Sequence, residues 1–196
     1  MINLHHEHHL RSLLSADSLW MHVLRLVRDL QIPQAAIGAG AVRNWIWDLA
    51  HQRTPNLMSA DIDVVYFDAQ ALEESHQLAW QTQLQNAMPE FTWEAVNQAG
   101  VHRWMNANNM TNLAGFQSVE QAIASWPETA TCVAVFLDAD EQIQVIAPYG
   151  LADLFELKLR PNLSCISNAT FLQRLQEKRF LQRWEQLKLD PIITSI

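Results

Sequence analysis

The chain has 196 residues, 49% of them hydrophobic, enough to bury one sizeable core and to set the expectation of a single globular unit with at most a small appendage. Thirteen Lys and Arg against 21 Asp and Glu leave a net charge of -8, so there is no general pull toward nucleic acid or an anionic membrane, and a polynucleotide partner is disfavoured. Cys132 and Cys165 are the only cysteines and have no paired spacing, which suggests neither a disulfide framework nor a thiolate zinc site and fits a reducing cytoplasm.

Residues 1–16 lack the basic start and apolar run of a signal peptide, and no stretch reaches transmembrane length. They read as an extension whose His5, His6, His8 and His9 are solvated. From Asp17, which can cap a first turn, Leu19, Val23, Leu26, Val27 and Leu30 recur at helical spacing. Ala35 to Gly38 is too short for a helix, and Ala41 to His51 resumes the helical period, predicting strand, tight turn and helix.

A polar connector, Gln52 to Ala60, leads into Asp61-Ile62-Asp63-Val64-Val65-Tyr66-Phe67-Asp68, whose β-branched and aromatic content predicts a second strand. Ala71 to Ala87 reads as a helix closed by Pro89, and Phe91 to Val96 as a third strand. Residues 104–117, rich in Asn, suggest a long loop before a short helix that Ser118 and Gln121 box. Thr131 to Leu137 and Gln142 to Ala147 form a hairpin around Asp138, Asp140 and Glu141, a tip without the Gly and distal Glu of a calcium loop. Beyond Pro148 a short helix is expected near Leu151 to Lys158 and a longer one from about Thr170 to Leu187. The pattern is α/β, divided into an N-terminal extension (1–16), a core (17–150) and a helical C-terminal segment (151–196).

Alternate strand residues share a face, so Asp61 and Asp63 project the same way with Cα atoms roughly 6.6 Å apart. Paired carboxylates are hard oxygen ligands suited to Mg²⁺ or Mn²⁺, which bring waters and substrate phosphates. The turn Gly38-Ala39-Gly40 permits close backbone approach, and the helix it opens presents N–H groups and a positive dipole end to an anion. Arg43 is placed to reach a phosphate or a carboxylate, and Asn44 to offer a neutral hydrogen bond.

These residues resemble a known family. Ala39-Gly40-Ala41-Val42-Arg43-Asn44 followed by Asp61-Ile62-Asp63 is similar to the glycine turn and aspartate pair of the polymerase-β-type nucleotidyltransferase superfamily, with the CCA-adding enzymes the nearest well-known comparison. Gly38 to Asp48, Asp61 to Asp68, Trp93 to His102, Trp126 to Thr131 and Ala147 to Phe155 look like a bacterial nucleotidyltransferase-like family of undefined function, a resemblance covering most of residues 35–185. The chain carries Ala39-Gly40 where the CCA-adding pattern has two glycines, and Asn44 where it has an aspartate.

The resemblance implies a small mixed β-sheet flanked by helices, Mg²⁺-dependent transfer of a nucleoside monophosphate from an NTP to a small-molecule or protein acceptor, and metal ligation by Asp61 and Asp63. It makes Glu94 the candidate third carboxylate and Asn97, Gln98 and His102 candidate pocket residues. The rival readings are a degenerate module that binds nucleotide without turnover, and a purely structural protein. Trp104 and Trp126 are candidates to stack a base. Arg174, Lys178, Arg179 and Arg183, interleaved with Glu177 and Glu185, read as a solvated helix face.

Overall fold

Alternation along three short strands divides the protein into two layers of core. The computed structural model describes residues 4–107 and 115–190, without the side chains of 104–107. The side chain of Trp104 and residues 108–114 of the Asn-rich segment therefore lie outside what is described. Helices α1 (Leu4–Ser15) and α2 (Ser18–Asp29) precede β1 (Ala36–Gly38), α3 (Gly40–Ala50) and β2 (Ile62–Tyr66). Then come α4 (Glu74–Ala87), β3 (Trp93–Asn97), α5 (Gln98–Ala107), α6 (Val119–Ile123) and the hairpin β4 (Ala134–Leu137) and β5 (Ile143–Ile146). The chain continues through α7 (Ala152–Phe155), β6 (Lys158–Leu159), α8 (Asn168–Lys178), α9 (Phe180–Arg183) and β7 (Lys188–Leu189).

The main sheet has the order β3-β2-β1-β4-β5 and is mixed: β2 and β3 run parallel, and the other pairs are antiparallel. On one face Ile37, Ile62, Val64, Trp93 and Val135 join the larger core together with α2 and α3. On the other, Ala36, Val65 and Ala134 pack against Ala99, Val119 and Ile123 of α5 and α6. Asp61 and Asp63 share the second face with Val65, because side chains alternate with period two. The larger core thus carries most of the apolar burial and leaves the opposite face free to hold polar groups.

Local sequence explains the helix ends. The Asp17 carboxylate accepts from the N–H groups of Leu19 and Trp20 at 3.0 and 2.9 Å, the expected cap of α2. Ser118 caps α6 at Gln121 N, but Gln121 returns its bond to Gln117 N, one residue before the cap. At the hairpin tip Glu141, with φ 61°, pairs with Arg25 and Arg28 and ties the turn to α2.

Three expectations are corrected. The N-terminal extension is a packed helix: Leu10 and Leu14 of α1 are fully buried in the larger core and the His6 and His9 rings stack on Phe155 at 5.0 and 5.2 Å, while His5, His8 and His9 stay exposed as expected. Helix α5 continues to Ala107, into the segment expected to be loop. The long C-terminal helix is broken at Arg179, whose left-handed conformation (φ 51°, ψ 37°) separates α8 from α9. The break turns Phe180 and Trp184 into the core against Trp47.

Candidate functional site

The turn between β1 and α3 is built from three small residues with different reasons to be small. At Gly38 a Cβ would meet Trp126 Cη2 at 2.7 Å and Ala134 Cβ at 3.1 Å, so only glycine leaves room for the indole. Ala39 adopts φ 49°, ψ -118°, a conformation that favours glycine, and its N–H bonds to Val133 O at 3.1 Å. At Gly40 an added Cβ would sit 3.8 Å from Arg43 Nη2, Asn44 Nδ2 and Asp63 Oδ2, in ordinary contact. Gly40 is therefore the open floor of a polar cradle.

Asp63 is the Cα partner of Glu94 across the parallel β2–β3 pair, and Asp61 lies two residues before it on the same face. Asp61, Asp63 and Glu94 border one cavity of about 270 Å³ together with Gly40, Arg43 and Asn44. Burial pushes the Asp63 carboxyl up to about 6, and the negative charges of Glu94 and Asp61 add to that, while the Gly40 N–H and Arg43 oppose it. The N-terminus of α3 therefore already faces an anion. No three Asp, Glu, His or Cys side chains among the described residues stand close enough together to cage a metal.

The opposite wall is cationic and fixed by a buried network that local sequence did not announce. Arg43 is 8% exposed and lies over the rings of Phe180 and Trp47 at 4.7 and 5.3 Å. It donates from Nη1 to Thr131 Oγ1 at 2.9 Å and from Nη2 to Asn44 Oδ1 at 3.0 Å, and its Nε has no partner. Burial pulls the Arg43 guanidinium down to about 10, leaving it charged at neutral pH. Thr131 in turn donates to Glu128 Oε2, and the fully buried Glu128 pairs with Arg174 Nε at 2.8 Å. Lys178 and Arg183 border the carboxylate cavity, and Arg174 and Lys178 border an adjoining one of about 300 Å³. The charges expected on a solvated helix face thus belong in part to the cleft wall.

A sequence profile described as Nucleotidyltransferase matches residues 25–189, from α2 through β7. The chain belongs to this nucleotidyltransferase family. A solution NMR structure described as a CCA-adding enzyme head domain is similar at TM-score 0.78 and 25% identity, covering 92% of this chain and 94% of that one. A CCA-adding enzyme in complex with CTP matches at TM-score 0.52 and 13% identity, over 89% of this chain and 40% of that one. The Thermotoga maritima CCA-adding enzyme complexed with tRNA matches at TM-score 0.51 and 14% identity, over 88% and 38%. These two share the fold alone, and the present chain spans about two fifths of their length. Among curated proteins, none matches the chain in sequence.

In this nucleotidyltransferase-family protein the remaining candidates separate. Asn97 is 4% exposed, and its amide is consumed by Asp68 N, Asp68 O, Ala71 O and Ala99 N, which pin the end of β2 to the end of β3. Gln98 and Trp126 border the adjoining cavity with Val65 and Val96. His102 stands edge-on to Phe116 at 6.2 Å and borders neither cavity. Glu128, Thr131, Arg174 and Lys178 were missed as site residues. Glu128 and Thr131 had a signal, since Trp126 to Thr131 is one of the stretches carrying the family resemblance, whereas the helix cations had none.

Proposed function

We propose that this protein transfers a nucleoside monophosphate from an NTP to a small-molecule or protein acceptor with the help of Mg²⁺ or Mn²⁺. The observation that carries this reading is the convergence of Asp61, Asp63 and Glu94 on one cavity with Gly40 and Arg43. The donors suit a hard divalent cation in kind: Asp61 and Asp63 offer carboxylate oxygens from one face of the sheet, and entering positive charge would offset the burial and the neighbouring negative charges that raise Asp63. Asp61 and Asp63 would hold the metal, with Glu94 bordering the same cavity, and the metal when bound would supply charge neutralisation at the phosphates and activation of the attacking oxygen.

The residues of this chain then have defined tasks. The α3 N-terminus offers its positive dipole end to the phosphates, and the enclosed Arg43, fixed by Thr131 and Asn44 before any ligand arrives, adds positive charge behind it without contacting them. Gln98 and Trp126 offer a polar edge and an aromatic face beside the phosphates, suited to a base or an acceptor. Transfer displaces pyrophosphate as the acceptor oxygen forms its bond to the α-phosphorus. The tRNA with which the Thermotoga enzyme is complexed is not carried over as a partner, because the net charge of -8 opposes a polyanion of that size.

A second reading, a module that binds nucleotide without turnover, is favoured by one observation: the carboxylates are not drawn into a closed metal cage among the described residues. Calorimetry with each NTP and Mg²⁺, on the wild type and on Asp61→Asn plus Asp63→Asn, separates the readings, combined with pyrophosphate release across an acceptor screen. Metal-dependent binding lost in the double variant supports both. Pyrophosphate release supports transfer, and absence of binding by any NTP overturns both.

A further inference from the structure

We infer that Lys178, at the end of α8, is the phosphate-contacting cation of this site, holding the outer phosphates of an NTP from the C-terminal wall of the cleft. The inference rests on the reading of the cleft as an NTP site, and it adds a residue that neither the glycine turn nor the aspartate pair supplies.

Four cations border the cleft: Arg43, Arg174, Lys178 and Arg183. Arg174 is committed to the fully buried Glu128 at 2.8 Å, and Arg183 to Asp48 at 3.5 Å. Arg43 is enclosed, with both Nη atoms bonded and the guanidinium lying over Phe180 and Trp47; only its Nε is unpartnered. Lys178 is exposed and has no hydrogen bond or ion pair among the described residues. It also borders both cavities, as do Gly40, Arg43 and Asp63. A flexible ammonium at the junction of the two cavities, facing three acids that it does not bind, is placed for a polyphosphate that enters with its metal.

Two features keep Lys178 there. The left-handed Arg179 ends α8 at this residue and redirects the chain, so Lys178 faces the cleft while Phe180 turns down onto Arg43. The Arg174–Glu128 pair, one turn earlier on the same helix, anchors α8 against the loop before β4. A lysine at a helix C-terminus is also favoured by the helix dipole alone, and the experiment must distinguish that role from ligand contact.

The test uses the full chain and its Lys178→Ala and Lys178→Arg variants, titrated with Mg²⁺-NTP, tripolyphosphate and a nucleoside monophosphate, with thermal denaturation to check the fold. Lys178→Ala is expected to weaken NTP and tripolyphosphate binding about tenfold or more, as for loss of a charge-assisted contact. Monophosphate binding is expected to stay within about twofold, and Lys178→Arg to restore most of the loss. If the wild type binds NTP and Lys178→Ala binds it equally well, the inference is overturned and the nucleotide reading stands. If tripolyphosphate binding depends on Lys178 while no nucleotide is preferred or turned over, the inference stands and nucleotidyl transfer fails. A wild type that binds neither ligand overturns both. A change confined to the melting temperature leaves only the helix-end role and overturns the inference as well.

Discussion

Asp63 and Glu94 are Cα partners on neighbouring parallel strands, so two acids from segments separated by a whole helix stand side by side on one face of the sheet. Burial, with the repulsion from Glu94 added to it, pushes the Asp63 carboxyl from its ordinary 3.8 up to about 6.

The direction of that shift sets how stability depends on pH. Between 3.8 and about 6 folded Asp63 binds its proton more tightly than the unfolded chain does. Its contribution to stability therefore declines as pH rises through that window and is least favourable above it. Metal-free Asp63→Asn, which keeps an oxygen for the Gly40 N–H, is expected to exceed the wild type in stability by up to about 3 kcal/mol above pH 6. The two converge below pH 4. Urea denaturation in chelator across this range reads it, and a wild type more stable than the variant at pH 7.5 contradicts it.

Glu128 has no exposure and two partners, Thr131 and Arg174. Removing it leaves the Arg174 charge partly buried and unpaired, so Glu128→Ala is expected to destabilise by about 3–5 kcal/mol. Glu128→Gln, which retains an acceptor, is expected to cost less. Denaturant midpoints for both variants test the ordering.

Gly38 and Ala39 are expected to respond in opposite directions. Gly38→Ala drives a methyl into Trp126 and is expected to lose about 1–3 kcal/mol by overpacking. Ala39→Gly relieves a conformation that costs about 1–3 kcal/mol for a non-glycine residue, offset in part by unfolded-state entropy of about 0.5–1 kcal/mol. Its melting temperature is expected to equal or exceed that of the wild type. The reverse ranking in a thermal melt refutes this account of the turn.

Gly40→Ala separates folding from ligand binding. The added methyl meets nothing closer than 3.8 Å, so stability is expected to hold within about 1 kcal/mol. Yet the methyl occupies the cradle between Arg43, Asn44 and Asp63, and NTP affinity is expected to fall about tenfold or more by calorimetry. Unchanged affinity places the phosphates elsewhere.

Sequence alone determined whatever depends on neighbours within a few residues. Period-two alternation put Asp61 and Asp63 on one face, helical spacing and Asp17 defined α2, and three small residues marked the turn into α3. The resemblance to nucleotidyltransferases rested on those same local segments, and so the fold and the acidic side of the cleft were legible. The cationic side was not. Glu128 and Arg174 are 46 residues apart, and the helical pattern of 170–187 gave no sign that Arg179 would break it and turn Phe180 beneath Arg43. Spacing along a helix records which residues share a face, but not what that face meets. Whether Lys178 looks into water or into a cleft of carboxylates was decided only when α8 docked, because burial and charge pairing arise from long-range packing.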